Sequence, residues 1–137
     1  MQMRDRIQAS FDRQSMMATF GAQLDRVEEG RVTLSAPILD GSRQQQGFAH
    51  AALTFGLGDS AAGYAALTMI PDDHEVVTAE IKINLTAPAT GDRLVARGQV
   101  LKPGRRLIVV TSEVVSIADG QETLVAILQG TMVPVPA

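Results

Sequence analysis

The sequence predicts an α+β domain in which one long apolar helix, inserted after the second strand, lies against an antiparallel sheet of about six strands. Three observations lead there. Residues 51–70 form a run of twenty that carries a single charge, Asp59, and is rich in Ala and Gly. On both sides of that run apolar residues recur at every second position, the period of a half-buried strand. Between the alternating runs fall Gly, Pro and Asp-Gly clusters of the kind that close hairpins.

Each element follows in chain order. Ile7, Phe11, Met16, Met17 and Phe20 have loosely helical spacing and Gly21 ends their run, so residues 1–20 read as one or two short helices. Leu24, Val27, Val32, Leu34 and Ala36 alternate with polar residues around Glu28-Glu29-Gly30-Arg31, which is a hairpin signature. Residues 37–47 are polar, hold Asp40-Gly41-Ser42, and make a loop longer than most connections and suited to carry function. The helix is expected over residues 49–69. Gly56, Gly58 and Gly63 lie inside it and each costs about 0.5–1 kcal/mol relative to Ala, so another backbone is expected to approach closely there. Pro71-Asp72-Asp73-His74 breaks the pattern.

Four strands fill the remainder. Ala79, Ile81, Ile83 and Leu85 alternate with Thr78, Glu80, Lys82 and Asn84, a parity that sets Thr78 on the face opposite Ile81 and Ile83. After a turn at Ala89-Thr90-Gly91-Asp92 come a strand over 94–101, a type II turn at Pro103-Gly104 and a Val- and Ile-rich strand over 107–117. A tight hairpin at Asp119-Gly120 then leads to a last strand over 124–133. Hairpin connections make these four strands antiparallel neighbours in sequence order.

With 137 residues, no internal repeat and no linker, the chain reads as a single domain, 1–137, with a core large enough to stand without staples. It has no Cys, which removes disulfides, thiolate metal sites and a Cys nucleophile and suits a cytoplasmic location. The two His are 24 positions apart, so no metal site is expected. A net charge of −3 and 4% aromatic residues argue against nucleic acid as a partner. The N-terminus shows no export signal, and residues 51–70 are too rich in Ala and Gly, without basic or aromatic flanks, to read as a membrane span.

Candidate chemistry narrows quickly. Gly58-Asp59-Ser60-Ala61-Ala62 lacks the second Gly of a nucleophile elbow, and Gly56, Gly58 and Gly63 have the wrong spacing for a dinucleotide loop. What remains is Asp59, expected to be a buried carboxylate that needs a partner, or else a member of a narrow solvated stripe with Ser60 and Thr68. The helix starts just after Gln44-Gln45-Gln46-Gly47-Phe48-Ala49-His50, so its unpaired N–H groups near Ala51 face an amide-rich loop. N–H groups for an oxyanion and a carboxylate as nucleophile or base make a plausible acyl-transfer site.

The run Gln44-x-x-Gly47-x-x-His50, with Asp59 nine residues after the His and an Ala- and Gly-rich helix around it, resembles the active-site segment of hotdog-fold acyl-CoA thioesterases. The phenylacetate-degradation type and the 4-hydroxybenzoyl-CoA thioesterase superfamily are the nearest in pattern. Phe20-Gly21-Ala22, Thr78-Ala79-Glu80-Ile81-Lys82-Ile83-Asn84, Pro88-Ala89, Gly91-Asp92, Gly104-Arg105 and Asp119-Gly120 fall in family order, so the resemblance covers most of the chain. It implies a hotdog fold, a long central helix wrapped by the sheet, and hydrolysis of an acyl- or aryl-acyl-CoA.

By the same resemblance Asp59 is the nucleophile or general base, the Ala51 N–H the oxyanion donor and Gln44 a second contact to the thioester. Thr78 helps to place the attacking water, and His50 orients the loop. Gly47 and Ala52 flank the substrate, and Arg97, Lys102, Arg105 and Arg106 bind CoA phosphates, although a charged turn is also what a solvated hairpin shows. The resemblance implies no cofactor beyond the coenzyme A of the substrate. It also implies a homodimer or homotetramer with sites at the subunit interface. The chain departs from the pattern in having Ala51-Ala52 where Gly-Gly is usual. It also pairs Gln44 with Asp59 and Gly63, where the Gln-bearing branch has Glu followed by Ser or Thr. The alternatives are an acyl-CoA-binding protein without turnover and a hotdog hydratase or dehydratase.

Overall fold

The computed structural model describes residues 2–137. Two short helices, α1 (Met3–Asp12) and α2 (Ser15–Phe20), precede a hairpin of β1 (Gln23–Glu28) and β2 (Arg31–Pro37). A single 3-10 turn at Asp40–Ser42 leads to α3 (Ala51–Leu67), and β3 (His74–Leu85), β4 (Arg93–Lys102), β5 (Ile108–Ala118) and β6 (Gln121–Pro136) follow. The expected α+β class and hotdog fold are what the chain adopts: α3 lies along the inner face of a six-stranded, wholly antiparallel sheet.

Local chemistry accounts for the element ends. Gly21 takes a left-handed φ of 69° and closes α2, while Gly30 at 76° turns the first hairpin. Asp119 and Gly120 both have positive φ, 51° and 75°, the type I′ geometry that matches strand twist. Helix α3 runs two residues short of the expected span at each end, because His50 caps its start and Thr68 Oγ1 donates back to the Ala65 carbonyl at its close. Arg6 of α1 adds a clamp at that end, donating to the carbonyls of Leu67, Ile70, Pro71 and His74.

Three expectations are corrected. The sheet order is β1-β2-β4-β5-β6-β3, so β3 pairs with β6 at one edge and is not a hairpin neighbour of β4. Residues 86–92 instead cross the sheet end, tied by Thr86 N–H to the Val125 carbonyl and Asp92 N–H to the Ile117 carbonyl. Gly104 does not take positive φ, so Pro103-Gly104 opens a bend and not a type II turn. The helix glycines receive side chains, not a backbone: a Cβ on Gly56 would meet Phe20 at 2.9 Å and one on Gly58 would meet Leu128 at 2.7 Å, while Gly63 has only ordinary contact. Close backbone approach is granted from the sheet side, where a Cβ on Gly98 would lie 2.2 Å from the Ala61 carbonyl oxygen.

The core sits between α3 and the sheet. Leu53, Leu57 and Ala61 pack onto Leu34, Leu94, Ala96, Val114 and Leu128, all fully buried or nearly so. Each such Leu or Val is worth about 1.5–3 kcal/mol of burial. One buried polar group fastens the layers, Ser112 Oγ donating to the Gly58 carbonyl at 2.6 Å. No helix among the described residues is long and apolar enough to cross a membrane.

Candidate functional site

The polar loop before α3 is a rigid platform. Arg43 and Ala49 form an isolated antiparallel bridge, Gly47 N–H donates to the Gln44 carbonyl, and Gly47 reaches a φ of 90° that a side chain would resist. Gln44 Oε1 accepts from the N–H groups of Gln46 and Phe48 at 2.6 and 3.1 Å, so this oxygen holds the loop, while Gln44 Nε2 donates one N–H to Gln46 Oε1 at 3.0 Å and has its second N–H unused among the described residues. His50 N–H bonds the Ser42 carbonyl and Ala49 N–H the Ala89 carbonyl, which pins the helix entrance from both sides.

The first turn of α3 then spends its donors unequally. His50 Nδ1 accepts from Ala52 N–H at 2.9 Å, and the His50 carbonyl accepts from Leu53 N–H. His50 is thus an N-cap with its ring proton on Nε2. Ala52 has its N–H engaged, whereas the Ala51 N–H has no partner among the described residues. Ala51 and Gln44 border a cleft of about 440 Å³ whose far wall is Leu85, Pro88 and Ala89. An unpartnered N–H at the positive end of a 17-residue helix is suited to a developing oxyanion.

Asp59 is half-buried, not the buried carboxylate expected from the apolar run. It stands on the one open stripe of α3 with Ser60, as the solvated-stripe alternative had it, but Gly63 and not Thr68 continues that stripe. Thr68 follows the helix end, where its Oγ1 accepts from Gly30 N–H and donates to the Ala65 carbonyl. Thr78 Oγ1 donates to Asp59 Oδ1 at 2.8 Å and lies 3.2 Å from Met132 Sδ. Strand parity alone placed Thr78 on the wrong face. A bulge at Ala79, between the pairs Thr78 with Met132 and Glu80 with Thr131, inserts one residue and brings Thr78 onto the inner side with Ile81 and Ile83.

The chain does not gather all the candidates in one place. Asp59 and Thr78 border a second cleft of about 280 Å³, apart from the one at Ala51 and Gln44. Asp59 lies eight positions beyond Ala51 on the helix, roughly 12 Å along the axis. The basic residues divide as well. Arg97 lies on the outer face in a double ion pair with Glu122 (2.5 and 3.2 Å), which raises the guanidinium's pKa and holds the Glu122 carboxyl below its usual range. Arg105 and Arg106 instead line a groove of about 720 Å³ with Met69, Pro71 and His74, and Lys102 is exposed at the end of β4.

Sequence reasoning missed Tyr64. Its ring is 6% exposed and its hydroxyl lies 2.8 Å from Gln14 Nε2 and 3.2 Å from Ser10 Oγ, at the wall of the Asp59 cleft. The available signal was a lone Tyr in an Ala-rich helix, since a buried phenol needs a partner.

The profile of the thioesterase superfamily matches residues 46–123. A Saccharolobus solfataricus protein provisionally named an esterase is 30% identical over 113 residues, 82% of this chain and 73% of that one. Among solved structures, a thioesterase family protein from Silicibacter pomeroyi superposes with a TM-score of 0.97 at 38% identity, covering 99% of this chain and all of that one. The E. coli PaaI protein from the phenylacetic acid degradation operon shares the fold with a TM-score of 0.88 at 20% identity, over 98% and 94% of the two chains.

Proposed function

The chain belongs to the thioesterase superfamily, and from that premise we propose that it hydrolyses an acyl- or aryl-acyl-CoA to free acid and CoA at a carboxylate-dependent site shared by two copies. The observation that carries this reading is the separation on α3: an unpartnered Ala51 N–H and the Thr78-bonded Asp59 lie roughly 12 Å apart, too far to act on one carbonyl. A second chain supplies the missing half. Strand β3 is a sheet edge of 12 residues, and it exposes Val77 and Leu85. Pairing two such edges would remove their unpaired donors and set the open stripes of two helices together. Asp59 of one copy would then face Ala51 and Gln44 of the other.

At such a site the thioester carbonyl oxygen sits on the Ala51 N–H with Gln44 Nε2 beside it. Thr78 holds one oxygen of Asp59 and leaves the other free. As general base, Asp59 takes a proton from water while the water oxygen bonds the carbonyl carbon. The tetrahedral intermediate then collapses, the C–S bond breaks and the CoA thiolate leaves, taking up the proton. As nucleophile, Asp59 bonds the carbonyl carbon itself, the C–S bond breaks with departure of the CoA thiolate, which takes up a proton from water, and water then cleaves the resulting anhydride to free acid and the Asp59 carboxylate. Single-turnover hydrolysis in ¹⁸O-labelled water identifies the second route when water attacks the Asp59 carboxyl carbon, because the first product acid then carries an unlabelled oxygen from Asp59 and the label stays on the protein. The groove at Arg105 and Arg106 is the better candidate for CoA phosphates, since Arg97 is already paired.

Replacing Asp59 with Asn tests the reading. Release of CoA, followed with a thiol reagent over a panel of acyl-CoAs, is expected to vanish while the oligomer seen by sedimentation is unchanged. Full turnover by Asp59→Asn would end the assignment. Wild-type protein that is thermally stabilised by CoA esters without hydrolysing them would make it a binding protein.

A further inference from the structure

The cleft beside Asp59 is closed by the N-terminal helices. Ser10 lies in α1 and Gln14 is the residue before α2, and both meet Tyr64 of α3 at the cleft wall. Tyr64 sits five residues beyond Asp59 on the same helix, roughly 7.5 Å along the axis, a span that an extended chain of about six carbons covers. The cleft's end is polar. Gln14 Nε2 donates to the Tyr64 oxygen, the Tyr64 and Ser10 hydroxyls share a hydrogen bond that either can donate, and the Gln14 side-chain oxygen Oε1 has no hydrogen-bond partner among the described residues. The ionisable side chains around the cleft, other than the phenol, are Asp59 and Glu75, and no Lys, Arg or His lines it.

We propose that the Ser10–Tyr64–Gln14 trio is the end wall of the acyl pocket, selecting a short acyl group whose far end carries an uncharged hydrogen-bond donor. This rests on Asp59 acting at the carbonyl. A long alkyl chain meets α1 and α2 before it is accommodated. A methyl tip leaves the trio's polar atoms unmatched once water is displaced. A carboxylate tip enters a cleft bordered by two acids and no cation, and is repelled.

Three CoA thioesters of equal chain length test it: hexanoyl, 6-hydroxyhexanoyl and adipoyl, with palmitoyl-CoA for length. The order expected in kcat/KM is 6-hydroxyhexanoyl, then hexanoyl, then adipoyl, with palmitoyl far below hexanoyl. Tyr64→Phe keeps the ring and removes the hydroxyl, and is expected to shrink the hydroxyl-to-methyl ratio roughly five- to tenfold, the worth of one neutral hydrogen bond. Gln14→Leu, outside the helical core, is expected to shrink it likewise, so the result does not hang on one variant's folding. Unchanged ratios in both variants, or palmitoyl-CoA turned over as well as hexanoyl-CoA, would overturn the proposal while Asp59→Asn remained inactive. Activity surviving in Asp59→Asn would instead remove the reading on which it rests.

Discussion

Gly98 is the point where sheet and helix backbones touch, and replacing it with Ala links packing to the proposed chemistry. The new Cβ would lie 2.2 Å from the Ala61 carbonyl oxygen and 2.3 Å from its carbon, both backbone atoms that no rotamer change can move. Going from 2.2 Å to the 3.4 Å where ordinary contact begins demands a displacement of about 1.2 Å. Overpacking of this kind costs roughly 1–3 kcal/mol. For 137 residues at about 2.1 cal/mol/K each, the unfolding entropy is roughly 0.29 kcal/mol/K, so Tm should fall by about 3–10 °C. A helix lifted that far also stretches the 2.8 Å bond from Thr78 to Asp59 and the 2.6 Å bond from Ser112 to the Gly58 carbonyl. Misplacement by about 1 Å can cost 10²-fold in turnover. The assays are thermal melts at fixed protein concentration and CoA release by thiol reagent, with Gly41→Ala as control because nothing lies within 4 Å of its added Cβ. Gly98→Ala melting within a degree of the parent, with full turnover, would refute the account of how the helix is seated.

Two further substitutions probe other links. Arg6→Ala removes the four bonds that tie α1 to the end of α3 and the start of β3, two of the carbonyls at 3.0 and 2.6 Å being those of Ile70 and His74. Charge-assisted bonds contribute about 1.5–3 kcal/mol each, but part of this is recovered by water, so a net loss of about 2–3 kcal/mol is expected in denaturant melts. Arg105→Gln and Arg106→Gln should raise KM for acyl-CoA several-fold and weaken its salt dependence, whereas Arg97→Gln should leave KM alone and act on stability. The Glu122 carboxyl is held low by Arg97, so the stabilisation from this pair is present above the ordinary Glu pKa and fades as pH falls below it; removing Arg97 should flatten that acid limb.

Much of the fold was legible because its signals are local. The strands declare themselves by alternation, as in Val32, Leu34 and Ala36, and the turns by Gly30 and Asp119-Gly120, whose left-handed backbone follows from residue type. The helix entrance was legible for the same reason, since residues 44–51 are neighbours in sequence. Sheet order was not, because a hairpin and a crossover over residues 86–92 differ in which edges meet, and residue type in the connection does not encode that. Thr78 was assigned to the wrong face because period-two parity is lost at a bulge, and the bulge at Ala79 is a property of pairing with β6. Tyr64, Gln14 and Ser10 lie up to 54 residues apart and meet only when α1 packs on α3.

By itself the sequence determined the element types, the amide-rich loop leading into the helix and a lone carboxylate on that helix, since each depends on side chains within a turn or two of one another. Only the tertiary structure decided that Asp59 is half-exposed and bonded to Thr78, that Arg97 is occupied by Glu122, and that the oxyanion donor and the carboxylate border different clefts. The physical reason is that exposure and partnership are set by what packs opposite a residue, and for Asp59 and Arg97 those groups come from strands at least 19 positions away.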